Sequence, residues 1–215
     1  MLSLFGDLSG VDFLINAIAY VLVVILSLTI HEYAHALAAY KCGDSTAKVQ
    51  GRVTLNPLKH IDPIGLICTA IFGFGWASPV PVNPSNFRNI RKGIAWTSVA
   101  GVLSNLILAF LGFGLFKLTL LITINNYFIL FIQQMFYFMF LINISLAVFN
   151  FLPIYPLDGF KFVESFAKYN NRFIDFMHKY GYLVLLLVLL VFDGLLIKLI
   201  SFISWPITWF WNLII

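Results

Sequence analysis

Charge is scarce in this 215-residue sequence: nine acidic and thirteen basic residues make up 10% of it. A water-soluble globule carries about a quarter, so a sizeable soluble domain is excluded. With 61% hydrophobic residues the chain reads as an integral membrane protein, a single membrane-embedded domain over 1–215. Cysteine is scarcer still. Cys42 and Cys68 have no CxxC spacing, decide nothing about redox compartment and are assigned to no metal. Basic residues are missing from the first twelve positions, where Asp7 and Asp12 stand, so this segment lacks the n-region of a cleavable signal. Internal repeats and low-complexity tracts are also absent.

What the sequence does have is long apolar runs separated by basic loops. Spanning helices are predicted over 14–40, 94–121, 127–149 and 174–192, with 195–215 either crossing again or lying at the interface, where Trp205, Trp209 and Trp211 would suit it. Alternation of Val49, Val53 and Leu55 with Lys48, Arg52 and Thr54 predicts a β-hairpin over 46–55. Glycines and Pro63 interrupt 61–76, which is predicted to be re-entrant. Residues 77–84 hold three prolines and read as an extended loop. A surface helix is predicted over 160–169. The expected fold is therefore an all-α multi-pass bundle of four to five transmembrane helices with a short β-hairpin and a re-entrant segment.

Eleven of the thirteen basic residues fall in two segments: Lys41 to Lys92, and Lys161 to Lys179. The positive-inside rule places both in the cytoplasm and the N-terminus outside. Because these charges are dispersed among loops at the bilayer surface, nucleic acid is not an expected partner.

The run 14–40 contains His31-Glu32-Tyr33-Ala34-His35, an HExxH. Residues four apart share a helix face, so the two imidazoles can offer nitrogens to one metal ion, and Glu32 beside them is placed to act as a base in a zinc hydrolase. With four His and two Glu in the chain, chance would supply roughly 0.0007 such motifs. Ionisable groups this deep in an apolar segment each cost about 2.5–3.5 kcal/mol or more, and so mark function. His31 is expected roughly 15 Å below the cytoplasmic surface, from the helical rise to the stop at Gly43. A catalytic zinc wants a third protein ligand. Asp158, at a proline-broken helix end, is the best candidate, with Glu164 next. Asn105, polar within a span, reads equally as packing glue. His60 and His178 read as solvated or interfacial.

Together the HExxH, Ala100-Gly101-Val102-Leu103-Ser104-Asn105 and Asn150-Phe151-Leu152-Pro153-Ile154-Tyr155-Pro156-Leu157-Asp158-Gly159 resemble the site-2 protease family of intramembrane zinc metallopeptidases. Residues 51–63 and 75–84 look like its compact, membrane-only branch. The match covers most of 14–165, and 174–215 follow as a C-terminal helix and interfacial segment. Two departures are Val102 and Tyr155, where the family often has proline. The resemblance implies one Zn2+ per chain held by His31, His35 and Asp158, with Glu32 as general base. It also implies that Asn150, and to a lesser extent Asn105, holds substrate backbone. Expected substrates are single-pass membrane proteins already cut once, in a bacterial or archaeal type of cell membrane. The competing readings are a metal-ion transporter, which would want repeats, and an inactive scaffold, against which Glu32 argues. Residues 64–76 and 77–84 form a candidate gate, with Gly65, Gly73 and Gly75 as its hinges.

Overall fold

The computed structural model describes residues 10–72, 75–124, 126–168 and 170–215. Over these the chain forms α1 (Gly10–Cys42), α2 (Thr46–Val49), α3 (Pro63–Phe72), α4 (Ile90–Thr119), α5 (Tyr127–Asn150), α6 (Asp158–Phe166), α7 (Arg172–Val191) and α8 (Asp193–Ile214). Five helices, α1, α4, α5, α7 and α8, are long and apolar enough to cross a membrane. Asparagine starts three of them: Asn89, Asn126 and Asn171 accept from the backbone N–H groups of Lys92, Ile129 and Phe173. Each side-chain oxygen satisfies a donor that a helix start leaves without a partner.

Helix α1 shows how sequence period becomes packing. Ile15, Ala19, Val23, Ser27, His31, His35 and Ala39 recur every four residues and are buried, whereas Leu14, Ile18, Leu22 and Leu26 form an exposed stripe. The exposed stripe suits lipid, and the buried one packs on α4 and α5. Lipid tails are as apolar as leucine, so the helices associate through close packing and buried polar pairs. Gly112 supplies the first: a Cβ there would lie 2.8 Å from the Phe140 nitrogen. Asn143 supplies the second, donating to Ser27 Oγ at 2.8 Å across α1 and α5. Helix α8 packs on the far side of α4 and α5 through Ile200, Ile203 and Ile207, and Trp211 Nε1 donates to the Phe110 carbonyl at 2.9 Å.

Three expectations change, and the open question of the C-terminal segment is decided. The β-hairpin over 46–55 is absent: no strand forms among the described residues, and 46–49 are helical. Asp44 Oδ1 accepts from the Thr46 amide at 3.0 Å and its hydroxyl at 2.5 Å, which begins a helical turn that local alternation did not reveal. Gly51, at φ 66°, then turns the chain away. His60, expected to be solvated or interfacial, is wholly buried: Nε2 donates to the Thr54 carbonyl at 2.9 Å and Nδ1 has no partner. Residues 194–214 form one continuous membrane-length helix despite Pro206. Finally, Gly65 and Gly75 are not open hinges. They lie where α3 meets the returning chain, and a Cβ on either would run into the backbone of the other segment. Gly73 and Asp7 lie outside the described residues.

Candidate metal centre

On the buried stripe of α1, His31 and His35 meet Asp158, the first residue of α6. His35 Nε2 lies 3.0 Å from His31 Nε2 and 2.9 Å from Asp158 Oδ2, and His31 Nε2 lies 3.3 Å from the same oxygen. All three side chains are buried. The chain folds this way locally because Pro153 and Pro156 end α5 and turn the backbone, so that Asp158 enters from beside the bundle. Gly159 permits the turn: a Cβ there would strike the carbonyls of Phe151 and Leu152.

Helix α4 completes the centre with three residues four apart. The Thr97 carbonyl accepts from His35 Nδ1 at 2.7 Å, and the Asn105 amide meets His31 Nδ1 at 3.1 Å. Between them Gly101 faces both rings: a Cβ would lie 2.5 Å from His35 Nε2 and 2.6 Å from His31 Cε1. Lys161, one turn along α6, donates to Asp158 Oδ1 at 3.1 Å and leaves Oδ2 facing the imidazoles.

These residues fit a zinc ion on three counts. Tetrahedral bonds of about 2.1 Å separate neighbouring ligand atoms by roughly 3.4 Å, close to the triangle of 2.9, 3.0 and 3.3 Å. With Nδ1–H of His35 committed to Thr97, its Nε2 keeps a lone pair directed at a carboxylate oxygen and a second imidazole. Such a meeting of acceptors is stabilised by a cation between them. Gly101 leaves free the space that a side chain on α4 would fill.

Glu32 flanks the triangle without joining it, and its Oε2 accepts from the Val80 amide at 2.9 Å. Asn105 is wholly buried, with its Nδ2 3.1 Å from His31 Nδ1. Asn150 stands half-buried at the end of α5, its Nδ2 donating to the Leu146 carbonyl at 3.0 Å. Glu164 lies away from the centre, accepting from His178 Nε2 at 2.6 Å. Thr97, Lys161 and Val80 were not singled out from sequence. Thr97 and Val80 act through backbone atoms, which sequence does not distinguish. Lys161, three residues after Asp158 on one helix, was visible as an i,i+3 pair.

A helix-borne HExxH joined by a carboxylate from a second helix, inside a bundle of membrane-length helices, defines an intramembrane zinc metalloprotease. The chain belongs to Peptidase family M50, whose model matches residues 118–192, the part that contains Asn150 and Asp158. It is 40% identical over 197 residues to "Putative zinc metalloprotease YwhC" of Bacillus subtilis (strain 168), covering 86% of this chain and 84% of that one. It is 28% identical over 172 residues to "Putative zinc metalloprotease Rip2" of Mycolicibacterium smegmatis, covering 77% of this chain and 64% of that one. Rip2 of Mycobacterium tuberculosis (strain H37Rv) is 29% identical over 171 residues, again 77% of this chain and 63% of its own length. No solved structure matches the chain.

Proposed function

We propose that His31, His35 and Asp158 bind one zinc ion and that Glu32 is the general base of an endopeptidase cutting membrane proteins within or beside their transmembrane segments. The convergence of three buried ligand atoms on one point, with a carboxylate on the adjoining residue of α1, carries this reading. Bound zinc supplies Lewis acidity toward a water and a peptide carbonyl. Glu32 takes the proton from the attacking water and returns it to the leaving amine nitrogen. The Thr97 carbonyl holds His35 in the ring orientation and tautomer that binding needs, the Asn105 amide holds the orientation of the His31 ring, and Lys161 holds the carboxylate. Asn150 is the residue we assign to the substrate backbone. A transmembrane helix keeps its carbonyls in internal hydrogen bonds, so the substrate unwinds before it is cut.

The substrate class suggested by the resemblance is a single-pass protein already shortened by an earlier cut. The catalytic part is 14–165, within one domain. The orientation is N-terminus outside with the site open to the cytoplasm, supported by the basic residues around α2, α3 and α6. Cysteines at Ile124 and Arg91 test it: labelling of position 124 from the cytoplasmic side would invert the topology.

A Glu32→Gln variant tests the function. It is expected to retain zinc and to lose about 10²–10⁴-fold in cleavage of a transmembrane substrate. Undiminished cleavage would remove Glu32 from the mechanism, and metal transport that survives the substitution would favour the transporter reading.

A further inference from the structure

The loop 77–84 reaches the catalytic carboxylate through one atom. Val80 N donates to Glu32 Oε2 at 2.9 Å. Its neighbours Pro79 and Pro81 have no amide hydrogen, so this N–H is the one donor that the backbone of 79–81 can present. Proline on both sides also keeps the segment extended, the conformation in which a peptide meets a protease. The ends are fastened elsewhere. Ile61 and Ala77 form an antiparallel bridge, Ser78 N donates to the His60 carbonyl at 2.7 Å, and Arg52 donates to Ser78 O at 3.3 Å and Ser78 Oγ at 3.0 Å. At the other end Asn83 N donates to Asp44 Oδ2 at 2.7 Å. Residues 79–82 are thus suspended between two anchors, with Glu32 as their partner in the middle.

We propose that residues 78–83 are an internal strand that occupies, in the resting enzyme, the place of the substrate backbone at Glu32. This rests on Glu32 being the general base. The base must return its proton to the nitrogen of the cleaved bond, so that nitrogen has to come within hydrogen-bonding distance of the carboxylate. Val80 N already stands there. Substrate and strand therefore exclude each other, and apparent affinity is the intrinsic affinity multiplied by the fraction of molecules in which Val80 is withdrawn. Because both anchors lie outside the metal centre, the strand can leave Glu32 without loss of zinc.

Val80→Pro removes the amide hydrogen and keeps the extended backbone, whereas Val80→Ala keeps the hydrogen. The hydrogen bond is to a charged acceptor, so Val80→Pro is expected to lower KM about tenfold with kcat retained, and Val80→Ala to behave as wild type. Arg52→Met, which loosens one anchor outside the centre, should move KM in the same direction. An arm independent of activity uses metal-free protein with Cys42 and Cys68 replaced by Ser. A Val82→Cys thiol in it should be alkylated several-fold faster when Val80→Pro is added. A fall in kcat with unchanged KM would overturn the proposal, because the amide would then be positioning Glu32. Unchanged KM and unchanged alkylation would overturn it as well. Failure of the protease reading has a different signature: wild-type protein would not cleave, while the alkylation arm would still report whether Val80 holds the strand.

Discussion

Lys161 holds one oxygen of Asp158 and leaves the other to the histidines: Nζ lies 3.1 Å from Oδ1, and Oδ2 lies 2.9 Å from His35 Nε2 and 3.3 Å from His31 Nε2. The two oxygens are thereby given different tasks, and the carboxylate is fixed to bind through one. Lys161→Met is expected to weaken zinc binding about tenfold and Lys161→Arg to retain it, since outer partners of this kind typically contribute 10–100-fold. Competition with a chromogenic chelator measures this. Equal affinity of the Met variant and wild type would show that Asp158 is oriented by the turn of α6 alone.

Gly101 carries a steric prediction. A methyl group in its place would lie 2.5 Å from His35 Nε2 and 2.6 Å from His31 Cε1. Both neighbours are the rings of proposed ligands, held on their far sides by Thr97 and Asn105, so they have little room to retreat. Gly101→Ala is expected to lose zinc by tenfold or more while the helices stay folded, since alanine favours a helix over glycine by about 1 kcal/mol. Zinc content measured with the circular dichroism of the same sample decides it. Full zinc occupancy would show that α4 can shift aside.

How much of this was legible in the sequence depends on where the information lies. HExxH is readable because the helical period alone puts two rings on one face, and Asp158 because two prolines mark a broken helix end. Four of the five long helices follow from apolar length; the fifth, over 195–215, was left open because Lys198, Pro206 and three tryptophans suit an interfacial segment equally well. The partners on α4 were harder: Gly101 and Asn105 were visible as small and polar residues within a span, but which residues face α1 is set by helix rotation, which packing determines. Val80 was not legible, because every residue except proline has a backbone N–H and only the fold brings this one to Glu32. The predicted hairpin failed for a related reason. Alternation over 46–55 was a weaker signal than a single carboxylate, Asp44, that captures the Thr46 amide and hydroxyl.

Asn105 can be tested by chemistry that separates size from hydrogen bonding. His31 binds metal through Nε2 when Nδ1 carries the proton, which needs an acceptor at Nδ1; Asn105 Nδ2 stands there at 3.1 Å with its buried Oδ1 unpartnered, and a half-turn of the amide exchanges the two and supplies that acceptor. Asn105→Asp keeps an acceptor and is expected to keep zinc, whereas Asn105→Leu, similar in volume, should weaken binding about 10–100-fold. If both variants bind alike, Asn105 is packing between α1 and α4 and nothing more.

Asp44 makes the last prediction, which concerns pH. The side chain is wholly inaccessible, and burial by itself would push its carboxyl up. The hydrogen bonds outweigh burial: the Thr46 hydroxyl, the Asn86 amide and the backbone N–H groups of Asn83 and Thr46 all donate to it, and together they hold the carboxyl below the usual carboxylate range. A folded-state value below the unfolded one means stability that is present above the unfolded value of 3.8 and is lost as pH falls through the folded one. At neutral pH, Asp44→Asn is therefore expected to destabilise the protein by about 1–3 kcal/mol, the loss associated with hydrogen bonds to a charged group. The same carboxylate ties the end of α1 to Asn83 and Asn86, so the loss should also loosen the loop that rests on Glu32. Thermal unfolding in detergent, measured from pH 7 down to pH 3, checks the sign. The gap in Tm between wild type and Asp44→Asn should stay level to about pH 4.5 and then narrow as protons displace the donors. A gap that keeps its full size at pH 3 would show that Asp44 acts by shape and not by charge.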